Sequence, residues 1–359
     1  MYSDDHRTTR YGTNADNPRY SDTFCKPESS DANIVYLTER QCLRKTEIEG
    51  YGIDKLSVSF PAESYQKSEL YWSGISTHRH GQAAMSMHTM ADRVYVGVQE
   101  IPDAHHRLWA KLEFNPSRLI DPEGFSLASV GASIEACDLA WSIAEQFVRP
   151  ACSIQEARLK RMDVARDFEG VQSPAFFLQG LRAIRRPYAR RSFTYNDPQR
   201  NMAETLYVGS GAGGARLYDK HSETAGGVPE GSVRFEVEAR SRWLAKWGMR
   251  TLADVRSENV LRLARERFDW SGMGNEVAAA ERVVELVTRS ELSPASQRAF
   301  LGHLLMTAKG YPSKLSNDSA AKFNRLQREL GVVIASDPFA ESFTSRLDFD
   351  SGREVINAA

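Results

Sequence analysis

The residues best suited to chemistry lie in three short segments that alternate polar and apolar positions. In Val233 to Arg240 (VRFEVEAR), Val233, Phe235, Val237 and Ala239 make one face of a strand, and Arg234, Glu236, Glu238 and Arg240 make the other. In Arg161 to Phe168 (RMDVARDF), Met162 and Val164 oppose Arg161, Asp163 and Asp167; in Leu108 to Phe114 (LWAKLEF), Leu108, Ala110, Leu112 and Phe114 oppose Lys111 and Glu113. Together these strands would gather Asp163, Asp167, Glu236, Glu238 and Glu113 on one wet face. Two accounts fit such a face. It is an ordinary solvated sheet surface with Arg and Glu paired across strands, or it holds Mg2+ or Mn2+, because clustered carboxylates need positive charge between them.

A fourth segment, Thr205 to Glu223 (TLYVGSGAGGARLYDKHSE), spells G-x-G-x-x-G with Gly209, Gly211 and Gly214, and Glu236 follows at the distance of a ribose-binding acid. A dinucleotide fold needs a helix to open at the last glycine. Here an alternating segment and then the helix-hostile AGGVPEG follow, so the glycines are expected to make a tight strand-to-strand turn, and a nucleotide-cofactor enzyme is the remote alternative. On the next strand Arg216, Tyr218 and Lys220 share a face. A phenol with a pKa of about 10 needs nearby positive charge to react as phenolate, so a tyrosine between two cations is a candidate nucleophile; the plainer account is a half-exposed strand tyrosine.

Basic residues cluster from Leu181 to Arg200 (LRAIRRPYARRSFTYNDPQR). Arg182, Arg185, Arg186, Arg190, Arg191 and Arg200 stand against the single acid Asp197, with Tyr188, Phe193 and Tyr195 interleaved. Arginines track phosphates and rings stack on unpaired bases, so this is a candidate single-strand DNA path; a solvated, flexible face is the bland alternative. His78-Arg79-His80 and His105-His106 lack a third ligand at recognisable spacing. Cys25, Cys42, Cys137 and Cys152 form no C-x-x-C, which speaks against a zinc ribbon or a disulfide framework and for a reducing cytoplasm.

The elements that must position these residues define an α+β protein. Strands are expected at Leu56 to Phe60, Arg93 to Val98, Leu108 to Phe114, Leu159 to Phe168, Thr205 to Val208, Arg216 to Lys220 and Val233 to Ala239, and helices at Ser133 to Val148, capped by Ser133, and at Pro174 to Arg186. Beyond Thr251 helical windows follow one another: Thr251 to Arg267, Asn275 to Arg289, Pro294 to Lys309 and Ser316 to Leu330. The expected organisation is a disordered arm at 1–45, an antiparallel-sheet catalytic domain with flanking helices at 46–250, a helical DNA-binding or accessory domain at 251–335 and a flexible tail at 336–359. The chain has 359 residues, 46 Lys and Arg against 47 Asp and Glu, and a net charge of -1. No global cationic field draws it to nucleic acid, so any such binding rests on local clusters. No apolar run suffices for a membrane span, and the first residues, MYSDDHRTTR, do not read as a secretory signal.

Taken in order, RMDVARDF, TLYVGSG with ARLYDKHSE, and VRFEVEAR followed by a helical tail resemble the replication initiation factor family, the rolling-circle initiators of bacterial plasmids and phages with related relaxases. The resemblance runs from Leu56 to Leu330 in element order; its specific part is the three motifs. It implies a DNA nicking and joining enzyme in the host cytoplasm. A tyrosine attacks one phosphodiester at the origin, stays linked to the 5′ phosphate and frees a 3′ hydroxyl for priming, with carboxylates holding Mg2+ or Mn2+. Asp163 and Asp167 match the Asp pair of the first motif, Tyr218 and Lys220 the Tyr-Asp-Lys of the second, and Glu236 the acid of the third. Arg216 lies beside them, and Glu238 and Glu113 complete the expected metal set. The His-hydrophobic-His pair of other nickases is absent, and Ser241 to Arg250 carries Trp243 and Trp247 but no tyrosine. Tyr218 is therefore the first choice of nucleophile and Tyr207 the second. Origin DNA is the implied partner, with a host helicase, a polymerase and a second copy of the chain as further ones. A non-catalytic origin-binding protein of the same ancestry is the alternative. Lys322, Arg325 and Arg328 in the last helical window would serve double-strand recognition; packing of that helix against the catalytic domain is the equal alternative.

Overall fold

The computed structural model describes residues 50–65, 74–77, 83–89, 94–100, 108–122, 124–181, 191–194, 205–209, 213–278, 280–308, 315–334 and 343–358. The first half of the chain forms β1 (Tyr51–Tyr65), β2 (Gly74–Thr77), β3 (Ala83–Thr89), β4 (Val94–Glu100), β5 (Leu108–Phe114), α1 (Pro116–Ile120), α2 (Val130–Glu145), β6 (Val148–Pro150), β7 (Arg158–Phe168) and α3 (Pro174–Leu181). Next come β8 (Arg191–Thr194), β9 (Thr205–Val208), β10 (Ala215–Asp219), α4 (Lys220–Glu223), β11 (Val233–Arg240), α5 (Ser241–Lys246) and α6 (Ser257–Ser271). The chain closes with β12 (Glu276–Ala278), α7 (Ala280–Thr288), α8 (Pro294–Ala308), α9 (Asn317–Leu330), β13 (Val332–Ile334), β14 (Phe343–Asp348) and β15 (Arg353–Ala358).

A large antiparallel sheet in the order β2-β3-β4-β5-β1-β7-β11-β10-β9-β8 carries the molecule, with β6 paired to the far end of β1. Period-2 alternation in β1, β5, β7 and β11 puts Leu56, Val58, Phe60, Leu112, Met162, Val164, Phe235 and Val237 on one buried face. Helix α2 packs on that face because Val130, Ala136, Cys137, Ala140, Trp141 and Ala144 recur at helical spacing, and Trp141 lies with its ring 4.4 Å from that of Phe60. Its cap is Ser129, whose hydroxyl accepts from the Ala132 N–H, and not the expected Ser133, which is buried beneath the first turn. Entry into α2 presses on β1 at Gly52, where a Cβ would lie 2.0 Å from the Ala128 carbonyl oxygen, so the position admits only glycine without backbone movement. Helix α6 covers the other half of the same face, with Phe268 between Phe168 and Phe235 at 5.6 and 5.2 Å.

The α+β class and the antiparallel sheet agree with the sequence; the C-terminal part differs from it. Strands do not stop at Thr251: β12 to β15 form a second sheet in the order β13-β12-β14-β15, parallel only between β12 and β13. Residues from Val255 to Val277 belong to the main core, and a separate small core begins at Ala278 with Val283, Val287, Phe300, Leu304, Phe323, Val332 and Ile334. The expected flexible tail is the hairpin β14–β15. Leu347 and Phe349 are buried in the main core, and Arg166 donates to the Asp350 carbonyl at 2.7 Å. Helix α3 is described as far as Leu181, and the arm at 1–45 lies outside the described residues. Among the described residues no helix is long and apolar enough to cross a membrane.

Candidate functional site

Opposite the core face, register decides which polar residues meet. Arg234 pairs with Asp167, Glu236 with Ala165 and Glu238 with Asp163 between β11 and β7, while Arg216 pairs with Glu236 and Tyr218 with Arg234 between β10 and β11. Ala165 has almost no side chain, so Glu236 sits between the two aspartates of β7. Tyr207 on β9 is the register partner of Arg216. Arg216, Tyr218 and Tyr207 on β10 and β9 thus adjoin Glu236, Glu238, Asp163 and Asp167 on β11 and β7, four neighbouring strands, with Lys220 opening α4 immediately after β10.

Each expected metal ligand is already held by a cation. Asp167 takes Nε and Nη2 of Arg234 at 2.5 and 2.7 Å, and Arg234 also donates to Asp54 at 3.1 Å and to the Phe125 carbonyl at 3.0 Å. Asp163 takes Nε and Nη2 of Arg161 at 2.7 and 2.5 Å; Glu238 lies 3.2 Å from Arg161 and accepts from Arg240 at 2.5 Å. Glu236 accepts from Arg216 Nη2 with both oxygens, at 2.5 and 2.6 Å, and Glu113 is bridged by Lys55 and Lys111 at 2.6 and 2.7 Å. Among the described residues no three His, Cys, Asp or Glu side chains converge on a point where a metal ion could be held. The donor set does not fit a divalent ion in this arrangement, since the ion would have to displace the guanidinium or ammonium group already on each carboxylate. The paired-sheet account of the wet face describes what is seen.

Tyr218 is 6% exposed, and its phenol donates to Glu236 Oε2 at 3.4 Å. The guanidinium of Arg216 and the ammonium of Lys220 lie over its ring at 5.2 and 5.6 Å. Two flanking cations were expected to lower the phenol pKa. Burial instead pushes it well above the ordinary tyrosine range, the Glu236 charge pushes the same way, and Arg234 and Arg216 offset only part of this. For Glu236 burial dominates as well; the Arg216 guanidinium pulls the pKa back, Asp54 and Asp163 push it up, and it rests at about 7. Glu113 goes the other way, because Lys111 and Lys55 outweigh its burial and hold it at about 2. The site therefore pairs a neutral buried phenol with a carboxylate whose pKa is near neutrality, the property of a proton acceptor.

Tyr218 opens onto a cleft of about 100 Å³ lined by Asp54, Asn115, Ser117, Arg118, Gly124, Phe125, Ser126, Arg216, Lys220, Glu223 and Arg234. One wall comes from α1 and the loop after it. Asn115 caps α1 by accepting from the Arg118 N–H at 2.9 Å, and the Arg118 guanidinium lies 4.9 Å from the centre of the Phe125 ring. Sequence reasoning passed over this wall, because NPSRLIDPEG has no period; its only signal is Asn-Pro, a helix start.

The glycine segment joins the antiparallel neighbours β9 and β10; Gly209 has φ +91°, Gly211 lies outside the described residues, and Gly214 leads into strand β10 where a dinucleotide fold would open a helix. The Gly213 carbonyl accepts from Arg267, whose guanidinium lies between the rings of Trp243 and Trp270 at 4.3 and 3.9 Å. Of the expected DNA-tracking residues, Arg182, Arg185, Arg186, Arg190 and Tyr195 lie outside the described residues, and Arg191 opens the edge strand β8. His78, His80, His105 and His106 are likewise outside them. On α9, Lys322 and Arg325 are exposed and Arg328 is half-buried.

No family model and no curated protein matches this chain. Among solved structures it is similar to that of a rolling circle replication initiator protein from Geobacillus stearothermophilus, at 14% identity over 77% of this chain and 96% of that one, with a TM-score of 0.33.

Proposed function

We propose that this protein cuts and rejoins one strand of DNA through a covalent phosphotyrosine on Tyr218, as an initiator of rolling-circle replication at a DNA origin. One observation carries the proposal: a tyrosine whose hydroxyl rests on a buried carboxylate of near-neutral pKa, in a cleft walled by Arg118, Arg216, Lys220 and Arg234. A phosphodiester is the ligand this charge suits, and the order of the three motifs supports the replicative role.

Tyr218 Oη attacks the phosphorus while its proton passes to Glu236; the bond from phosphorus to the 3′ oxygen breaks, and that oxygen takes a proton from water. Rejoining is the reverse: the 3′ hydroxyl attacks the phosphorus and gives its proton back to the hydroxide left in the solvent, the bond from phosphorus to Tyr218 Oη breaks, and Glu236 returns its proton to the phenol. A neutral phenol losing its proton during attack has no need of the stable phenolate that burial forbids here. The expected Mg2+ or Mn2+ enters no step, because the five carboxylates are committed to cations. A host helicase, a polymerase and a second copy of the chain belong to the same proposal as partners of the replicative role.

The test is adduct formation on supercoiled plasmid carrying the DNA that flanks this protein's coding sequence, with Mg2+, with Mn2+ and with chelator. Trypsin separates the two tyrosines, leaving Tyr218 in residues 217–220 and Tyr207 in 201–216. The expected result is DNA linked to the shorter peptide, lost in Tyr218→Phe and kept in Tyr207→Phe; an adduct that survives Tyr218→Phe overturns the assignment. The pairing of every expected metal ligand with a cation favours a second account, a DNA-binding protein of the same ancestry without nicking activity. That account requires origin binding and no adduct under any of the three conditions.

A further inference from the structure

We propose that Arg118 and Lys220 form the clamp that takes hold of a phosphodiester in the cleft, with Glu223 as a stand-in anion that the phosphate displaces; the phosphate's belonging to DNA rests on the nicking proposal. Four cations line the cleft, and their existing partners divide them. Arg234, 3% exposed, is saturated by Asp167, Asp54 and the Phe125 carbonyl. Arg216 is held by both oxygens of Glu236, itself 2% exposed. Freeing either arginine would strand a buried carboxylate without its counter-charge, which makes them fixtures of the cleft floor.

The other two cations can be released. Lys220 is 8% exposed, yet its partner Glu223, 2.6 Å away, is 53% exposed on the single turn of α4, so its carboxylate returns to water when it lets go. Arg118 stands half-buried, and the contact of its guanidinium is with the face of the Phe125 ring, 4.9 Å from its centre. One cation comes from α1 and the other from the end of β10, so they reach the cleft from different segments of the chain. Lys220 also lies 5.6 Å from the Tyr218 ring centre, which puts a phosphate bound there beside the phenol. Glu223 neutralises Lys220, and its departure strengthens the attraction for an incoming anion.

The full chain is titrated with inorganic phosphate, with a mononucleotide and with a short single-stranded oligonucleotide, following binding by calorimetry. Arg118→Ala and Lys220→Met, which keeps the buried stem, are expected to weaken phosphate binding about tenfold each, and Glu223→Gln to strengthen it several-fold. Unchanged thermal midpoints establish that the variants fold; Arg118→Lys, retaining the charge on the open rim, should recover part of the loss. No phosphate binding by the unaltered protein, no effect of Arg118→Ala, or weaker binding in Glu223→Gln overturns the clamp. Phosphate bound as described with no tyrosine adduct retires the nicking proposal and leaves the clamp. Wild-type adduct formation and phosphate affinity in Arg118→Ala retire the clamp and leave nicking.

Discussion

Glu236 and Arg234 lie two residues apart on the same strand face, and changing them should produce opposite kinds of damage. Glu236→Gln keeps the volume and one oxygen that can accept from Arg216, replaces the other with a donor amide, and cannot take the Tyr218 proton. Adduct formation should fall by about 10²–10⁴-fold, the usual share of a general base, with the folded structure retained in circular dichroism. Because Glu236 rests at about 7, nicking should rise with pH as the carboxylate ionises through that value; a flat profile between pH 5 and 8 would remove Glu236 from the proton path. Arg234→Ala instead removes the guanidinium that bridges Asp167 and Asp54 from a position 3% exposed. Stranding those acids should cost about 3–5 kcal/mol of stability in urea unfolding, whereas Arg240→Ala, 58% exposed at its side chain, should stay within about 0.5 kcal/mol.

At the level of elements, the turn leading into α6 is held by Asp254, whose Oδ2 accepts from the backbone N–H groups of Arg250 and Thr251 and from the Thr251 hydroxyl. These hydrogen bonds hold its pKa below the ordinary 3.8. A depressed acid contributes stability that is complete above its unfolded value and disappears as pH falls through the lower folded value. Asp254→Ala should therefore cost about 1 kcal/mol at pH 7, with the difference from the unaltered protein closing toward pH 3 in thermal melts. Strand β1 poses a steric problem at Gly52, where Gly52→Ala would drive a Cβ into the Ala128 carbonyl and should cost about 1–3 kcal/mol by forcing the α2 entry away from the sheet.

For the whole molecule the C-terminal hairpin is the informative part. Phe349 is 7% exposed and packs on Phe268 at 5.2 Å and Phe235 at 6.5 Å, so β14–β15 closes the main core. Phe349→Ala should cost about 3–5 kcal/mol, and a chain ending at Ile334 should melt at a clearly lower temperature. Equal melting temperatures for the full and shortened chains would show that the core closes without the hairpin.

Much of this was legible in order along the chain. Alternation located β5, β7, β9, β10 and β11 almost to the residue, because a strand with one buried face must place an apolar side chain at every second position. It likewise put Arg216, Tyr218, Glu236, Asp163 and Asp167 on the faces where they are found. Strands such as β12 and β13, three residues each, carry too few positions to show a period, and the windows around them read as helix. Which cation holds which acid, the burial that raises the Tyr218 and Glu236 pKa values, and the approach of Arg118 were decided by folding. Those depend on strand register and on a loop distant in sequence, and charge pairing and desolvation follow distance in space. The alternating pattern by itself determined a two-faced sheet with a polar, chemically equipped side; only the tertiary structure turned that side into a set of paired charges with a cation-lined opening at Tyr218.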